Sequence, residues 1–453
     1  MTERSPPCII VNMIVDHLRN LVEASRVLTG KAVEYACRDE SGLGEVAPLA
    51  VVQAADEKEV QRVITFCFER KIPVTARGAG SALEGSTIPV KGGIVLDLSR
   101  MDRVIEVSTE ERFCRVQPGV VYDTLNKQLS KYGLFFPPSP GGSSDVATIG
   151  GMVATNASGI YAYRYGGTGS WVKTLRVITG KGELLELGSR VPKSSVGYDL
   201  VHLFVGSEGT LGIITEVGLG LAPLPEERVK VAYRFDGFKE AVDAAVEFSW
   251  GVPMLAAVEF LDADTIQSIS EFLGRPIIPG YYLFLEFHGE TKVPDDVLEL
   301  AHEVAETHKG SRLDVKEPWY LRHFGTRAVQ RLGRALIRTD AAVPVSRLPE
   351  YLNWAKDQKG LRVFAFGHIG LGIVHLLVPY DPEDQGLVNK VHEFKKKAGL
   401  KALSLGGTIS GEHGVGTGNR ELARLQLGMA YNLMSRIKEL LDPHGIMNPG
   451  KVF

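Results

Sequence analysis

Cysteine is scarce in this chain: four in 453 residues, Cys8, Cys37, Cys67 and Cys114, with no Cys-x-x-Cys pair. That spacing excludes a disulfide framework or an iron–sulfur module within the chain and leaves buried or half-buried free thiols as the expectation. Long apolar runs are missing as well. None approaches the roughly 20 residues that cross a bilayer. The stretch from Cys8 to Val15 is broken by Asn12, closed by Asp16 and lacks a basic lead or a small-residue cleavage site, so it does not read as a secretion signal. A strong charge of one sign is absent too. The formal net charge is −3, the pI is about 6.4, and the 51 basic residues are scattered. That balance argues against nucleic acid and against a polybasic anchor. A cytoplasmic protein, at most peripheral at a membrane, is the expectation. There is no internal repeat and no low-complexity segment.

Glycine, by contrast, is abundant. The 50 glycines make about 11% of the chain against a usual ~7%, and they cluster where backbone approaches a ligand or takes up positive φ. The length predicts two or three domains. Hydrophobic spacing predicts a helix over 11–30 and another from Asp56, where Asp56 and Glu59 form a capping-box pattern. Strands are expected at 72–76, 93–98, 104–107 and 113–116, and a helix over 120–131. Residues 141–169 read as loop; β pattern resumes at 171–179, 184–187 and 211–221. Pro223 and Pro225 then mark a domain boundary. From about 228, strands at 229–235, 256–261 and 281–287 alternate with helices at 238–248, 263–272, 295–308 and 346–358. This pattern predicts an antiparallel sheet covered by helices. Residues 361–366 and 373–378 pair as a hairpin around Gly370 and Gly372, and 425–441 form an amphipathic helix.

Four residues near the C-terminus carry the clearest chemistry. His368 and His375 lie in Gly367-His-Ile-Gly-Leu-Gly-Ile-Val-His375, and Glu412 and His413 in Gly406-Gly-Thr-Ile-Ser-Gly-Glu-His-Gly-Val-Gly416. Taken singly, each histidine is more often structural than a ligand. Seven residues apart on one straight strand, His368 and His375 would face opposite ways; a turn between them removes that objection. Two imidazoles and a carboxylate suffice for a catalytic divalent metal with an open position, and the remaining histidine is free to move a proton.

Gly78-Ala-Gly80-Ser-Ala-Leu-Glu-Gly85 approaches the dinucleotide fingerprint, but Leu83 stands where the third glycine belongs. Gly85, Thr87 and Pro89 also leave no room for a following helix, so the Rossmann reading fails. Successive backbone N–H groups still hold a pyrophosphate without a helix. Three more motifs follow in order: Pro137 to Gly159 with Arg164-Tyr-Gly-Gly-Thr-Gly169, then Gly206-Ser-Glu-Gly-Thr-Leu-Gly212, then Asn448-Pro-Gly-Lys451. Together, over 48–453, they resemble the FAD-dependent proteins of the vanillyl-alcohol oxidase, or PCMH, superfamily. The likeness is to the branch of D-lactate dehydrogenase, the glycolate oxidase D subunit and D-2-hydroxyglutarate dehydrogenase.

The resemblance implies an α+β chain: a two-subdomain PCMH-type FAD-binding fold, an antiparallel-sheet-plus-helices cap, and a C-terminal helical segment returning to the flavin. Its divisions are 1–46 (helical segment), 47–225 (FAD-binding domain), 226–405 (substrate or cap domain) and 406–453 (C-terminal segment). It implies that Arg77, Gly78, Ala79, Gly80, Ser81 and Gly85 wrap the pyrophosphate. Pro138, Thr148, Gly151, Ser158 and Gly159 would line the flavin, Glu208, Gly212 and Ile214 the adenosine side, and Asn448 the ring end. FAD would be dissociable, because residues 77–86 hold no histidine for covalent attachment. His368, His375 and Glu412 would bind a divalent metal, zinc or manganese foremost, with His413 as base and Arg322, Thr326 and Arg338 holding the substrate carboxylate.

One departure bears on the substrate. Where the resembling enzymes read Gly-His-x-Gly-Asp-Gly-Asn-x-His-x-Asn, this chain has Leu371, Ile373 and Leu377. Apolar groups there offer nothing to a second carboxylate, so a small D-2-hydroxy acid such as D-lactate is expected ahead of glycolate or D-2-hydroxyglutarate. A non-redox transferase of the alkyl-dihydroxyacetone-phosphate synthase type and a flavin-bearing subunit of a larger oxidase are the competing readings; His368, His375 and Glu412 argue against the first, and all four chemical residues against the second. The electron acceptor, whether quinone, cytochrome, electron-transfer flavoprotein or iron–sulfur subunit, is not legible, and a homodimer is allowed.

Overall fold

A computed structural model of the chain describes residues 8–313 and 318–453. Two sheets build its N-terminal half. The first has four strands in the order Val27–Leu28, Ala50–Gln53, Ile94–Asp97, Val74–Arg77, the last three mutually parallel. Helix Glu57–Arg70 covers it, burying Val60, Val63, Ile64 and Cys67. The capping pattern is present but not reciprocal. Asp56 accepts from the Glu59 amide at 2.9 Å, while Glu59 accepts from Ala55 N and takes both Arg26 nitrogens at 2.6 Å.

The second sheet is antiparallel, with strands Val104–Ser108, Phe113–Val116, Gly212–Gly220, Val172–Thr179 and Leu184–Gly188 in that order. The C-terminal half is a seven-stranded antiparallel sheet. Its order is Ser311–Arg312, Glu227–Phe235, Tyr281–Gly289, Leu255–Leu261, Phe364–Gly367, His375–Tyr380, Ala335–Arg338. One face packs Val231, Leu283, Leu285, Val258 and Phe260 under helices Phe238–Gly251 and Asp295–Thr307. The opposite face carries Phe284, Leu261, Phe366 and Leu377 and meets Ile160 and Tyr161 of the N-terminal half. This is an α+β arrangement, as the resemblance implies. After helix Met429–Leu441 the tail rejoins the first sheet, where Met447 bridges Val74 in parallel and Asn448 N donates to Val74 O at 2.7 Å.

Three local expectations need correction. The first helix is Cys8–Leu21, not 11–30: the chain turns at residues 24–26, and Leu28 pairs with Val51 in the first sheet. Residues 141–169 are not all loop, because Thr148 caps a helix, Ile149–Thr155, whose two glycines masked the helical period. The single helix expected over 425–441 is two, Arg420–Leu427 and Met429–Leu441, parted at Gly428 with φ +52°. Cys37, Cys67 and Cys114 are buried free thiols, and the side chain of Cys8 lies outside the described residues. Among the described residues no helix is long and apolar enough to cross a membrane.

Candidate active site

The sheet register assembles the histidine site. Phe366 pairs with His375 and Leu261 with Phe366, so Glu259, His368 and His375 share one face by strand alternation. The hairpin turn that reverses the chain between the two histidines closes at Gly372. Its φ of +74° and the Val343 carbonyl oxygen 1.9 Å from any added Cβ admit only glycine. Glu412 and His413 arrive from the C-terminal segment, where Ser410 bridges Asp340 just beyond strand Ala335–Arg338.

Glu412 is the hub. Its Oε1 lies 3.2 Å from His368 Nε2, 3.3 Å from His375 Nε2 and 3.6 Å from His413 Nε2. Its Oε2 accepts from Ser158 Oγ at 2.9 Å. His368 Nδ1 meets Glu259 Oε1 at 2.6 Å, and Arg322 Nε donates to Glu259 Oε2 at 2.7 Å. A continuous line of polar contacts therefore runs from Arg322 through Glu259, His368 and Glu412 to Ser158. The rings of His375 and His413 stack within 8° at a centroid distance of 5.1 Å.

These side chains fit a cation. Asp340, His375, Glu412 and His413 each offer a ligand atom within 4.8 Å of the others, a group that includes Asp340 and not His368. Glu412 Oε1 also lies 3.2 Å from His368 and 3.3 Å from His375, near the ~3.3 Å that separates ligands at bonds of ~2.0–2.1 Å in tetrahedral array. Charge agrees with geometry. Burial alone would lower the pKa of His368, but the carboxylates of Glu259 and Glu412 outweigh it and raise it to about 10. Burial alone would raise Glu412, but His368 and His375 hold it well below the usual carboxylate range. The cluster thus favours a positive charge at the point where a metal would replace the His368 proton. Burial depresses His413 and leaves it a neutral imidazole near pH 7.

The glycine loops fit a flavin nucleotide. Arg77 to Ser81 and Gly85 form the turn after strand Val74–Arg77, and Gly78 backs so closely on Thr148 that a Cβ would sit 2.3 Å from Oγ1. Arg77 is 6% exposed, yet among the described residues no carboxylate lies within ion-pair reach; it donates to Arg38 O at 2.9 Å and Thr87 Oγ1 at 3.2 Å. A buried guanidinium without an anion is costly, and a pyrophosphate would complete it. Thr148 accepts from Gly151 N at 3.3 Å, and Gly159, with φ +98°, passes Pro138 to Pro140 where a Cβ would overlap Ser139 O.

Glu208 and Asn448 lock these loops to the C-terminal segment. The Glu208 carboxylate accepts from Ser86 Oγ (2.6 Å), Val415 N (2.7 Å) and Gly416 N (2.8 Å). Asn448 Nδ2 donates to Ser86 O (3.0 Å) and Glu208 O (2.7 Å). Their side chains are thus engaged by protein. Gly212 and Ile214 lie in a central strand of the second sheet, with the Ile214 side chain in its core.

Of the residues expected at the substrate acid, Arg322 is committed to Glu259 and lies over the Phe366 ring at 4.9 Å. Thr326 is half-buried on helix Gly325–Gln330. Arg338 is half-buried, with one side-chain hydrogen bond, to Gln330 Oε1 at 3.4 Å, and no ion-pair partner among the described residues. Two residues escaped the sequence reading. Glu259 and Asp340 are fully buried carboxylates beside the histidines. A lone glutamate inside the apolar strand Leu255–Leu261 was the available signal; nothing marked Asp340 except its place two residues after Arg338.

Comparison with known proteins identifies the family of the chain. Residues 48–188 match the family described as FAD binding domain, and residues 224–452 that of FAD linked oxidases, C-terminal domain. A D-lactate dehydrogenase of Anaerostipes hadrus is 33% identical over 95% of this chain and 95% of its own. The glycolate oxidase subunit GlcD of Bacillus subtilis is 32% identical over 90% of this chain and 89% of its own. A solved p-cresol methylhydroxylase, 18% identical, shares the fold with a TM-score of 0.79 over 97% of this chain and 96% of that one. The chain belongs to the FAD-linked oxidases, a family of FAD-dependent oxidoreductases.

Proposed function

We propose that this protein is a divalent-metal-dependent flavoprotein dehydrogenase that oxidises a small D-2-hydroxy acid, D-lactate foremost, to the 2-oxo acid. The observation that carries this reading is the double engagement of Glu412: one oxygen among three imidazoles, the other on Ser158 of a glycine loop. It joins a cation site to a flavin cradle. When bound, FAD supplies the hydride acceptor and a zinc or manganese ion the Lewis acid.

The chain's own residues do the rest. His368, His375 and Glu412 hold the metal. His413, neutral because it is buried, takes the proton of the substrate's 2-hydroxyl at Nε2. Arg338, a half-buried cation without an ion-pair partner among the described residues, receives the substrate carboxylate. Arg322 steadies Glu259 and presents its remaining guanidinium nitrogens beside Phe366. Relatives named for D-lactate and glycolate support the substrate class. The preference within it rests on Ile373 and Leu377, both buried and without a polar atom to offer a second carboxylate. The proposed acceptor of the electrons is a quinone, a cytochrome, an electron-transfer flavoprotein or an iron–sulfur subunit.

The test is anaerobic bleaching of the flavin band on a panel of D- and L-hydroxy acids, with metal analysis of the same sample. D-Lactate is expected to bleach the metal-loaded protein and to fail after chelation, with recovery on adding zinc or manganese. If no acid bleaches an FAD- and metal-loaded sample, the dehydrogenase reading falls.

A further inference from the structure

We infer that Asp340 is a positioning residue that fixes the tautomers of His375 and His413 together, so that both present a bare Nε2 to the reacting centre. The inference rests on the active-site reading above and adds to it the group that orients two of its members.

Asp340 is clamped from one side. Its Oδ2 accepts from Ser410 Oγ at 2.7 Å, Glu412 N at 2.8 Å and His413 N at 2.7 Å, all from the turn that carries the hub carboxylate. Those three donors leave Oδ1 facing away from the turn. Among the described residues Oδ1 has no hydrogen-bond partner, and neither does His375 Nδ1 or His413 Nδ1; all three atoms are buried. Yet Oδ1 lies 3.5 Å from the first nitrogen and 3.6 Å from the second. Three orphaned polar atoms this close are satisfied together by a shift of a few tenths of an ångström.

The direction of the proton follows. Three donors on Oδ2 favour an ionised Asp340, and an ionised carboxylate has no hydrogen to give, so hydrogen bonds to Oδ1 take the Nδ1 hydrogen of each imidazole. Because the rings are stacked nearly parallel, both Nε2 atoms then point to the Glu412 side, at 3.3 and 3.6 Å from its Oε1. One bare Nε2 is left for the cation and the other for the substrate's proton. A single carboxylate serves a ligand and a base at once.

Asp340→Asn tests this with little change of shape. The amide oxygen keeps the three donors of the turn, and the NH2 group then points at the two Nδ1 atoms. As a donor it forces the hydrogen of each ring onto Nε2, the inversion that an asparagine produces in a catalytic triad. The experiment uses full-length, FAD-loaded protein labelled with 15N-histidine and loaded with zinc, which is diamagnetic. Long-range 1H–15N spectra would be assigned with His375→Gln and His413→Gln. Expected are protonated Nδ1 and unprotonated Nε2 for both residues in the unsubstituted protein. In Asp340→Asn, zinc affinity measured against a chelating indicator should fall tenfold or more, with the flavin spectrum unchanged. Protonated Nε2 on both rings in the unsubstituted protein, or unchanged zinc affinity in a folded Asp340→Asn, would overturn the inference alone. A protein that takes up FAD but no zinc would overturn the active-site reading and this inference with it. The spectra of the unsubstituted protein decide the matter even if the variant does not fold.

Discussion

Ser158 and Glu412 are 254 residues apart in the chain and meet at 2.9 Å, the serine hydroxyl donating to the carboxylate. One comes from the glycine loop of the flavin-binding half, the other from the segment that closes the molecule. Ser158→Ala leaves that oxygen of a buried carboxylate short of a donor, a loss of about 1.5–3 kcal/mol for a hydrogen bond to a charged group. Metal affinity should fall about tenfold or more, with a smaller loss of FAD affinity, because the other flavin-lining residues of the cradle are unchanged. Titration against a chelating indicator, with the flavin spectrum as control, checks both parts.

Glu259 sits between His368 and Arg322 with its side chain fully buried. Glu259→Gln removes the charge that both partners face but keeps the shape. Leaving Arg322 uncompensated should destabilise the protein by about 3 kcal/mol, in line with broken buried ion pairs. Denaturant midpoints of the two proteins measure that. The variant should also bind metal more weakly, since the group that orients His368 now offers an amide.

What the sequence disclosed and what it withheld follow from the range of the interactions. Strand Phe113–Val116 was read to the residue because local alternation and its flanking residues define it. Helix Ile149–Thr155 was hidden because Gly150 and Gly151 break the apolar period, while its Thr148 cap acts over three residues only. The histidine cluster was legible because its members lie in two compact, glycine-dense motifs. Glu259 and Asp340 were not, because each reaches the site through pairing of strands distant in sequence. Glu259 meets His368 across 109 residues, and Asp340 meets His413 across 73. No local pattern encodes such an encounter.

Glu84 gives a pH signature away from the histidines. Burial pushes its carboxyl from 4.5 up to about 7, against the pull of Lys395 at 2.8 Å. The folded value lies above the unfolded one, so the folded state binds the extra proton between pH 4.5 and about 7. The contribution of this group to stability is therefore full below the lower value and is lost as pH rises through the upper one. Going from pH 5 to pH 8, the unsubstituted protein should lose up to about 3 kcal/mol relative to Glu84→Gln. Paired denaturation curves at the two pH values isolate the term, because effects common to both proteins cancel. Equal pH dependence in the two would show that Glu84 is ionised throughout.

Leu377 tests the substrate preference. It is fully buried on the sheet face that carries His375, pairs with Arg338 and Phe364, and packs with Phe366 and Leu261. Leu377→Asn puts an amide into that apolar wall, and an unpartnered buried amide together with the lost methyl groups should cost about 2–4 kcal/mol of stability. The same amide would give a second substrate carboxylate a donor beside Arg338. The ratio of kcat/KM for D-lactate to that for D-2-hydroxyglutarate should therefore fall about tenfold, the worth of one hydrogen bond near 1.4 kcal/mol. Steady-state kinetics with an artificial acceptor measure the ratio, and a falling melting temperature reports separately on the core. If the ratio held while stability dropped, Leu377 would be a packing residue only, and the preference for a short, apolar acid would have to come from elsewhere in the pocket.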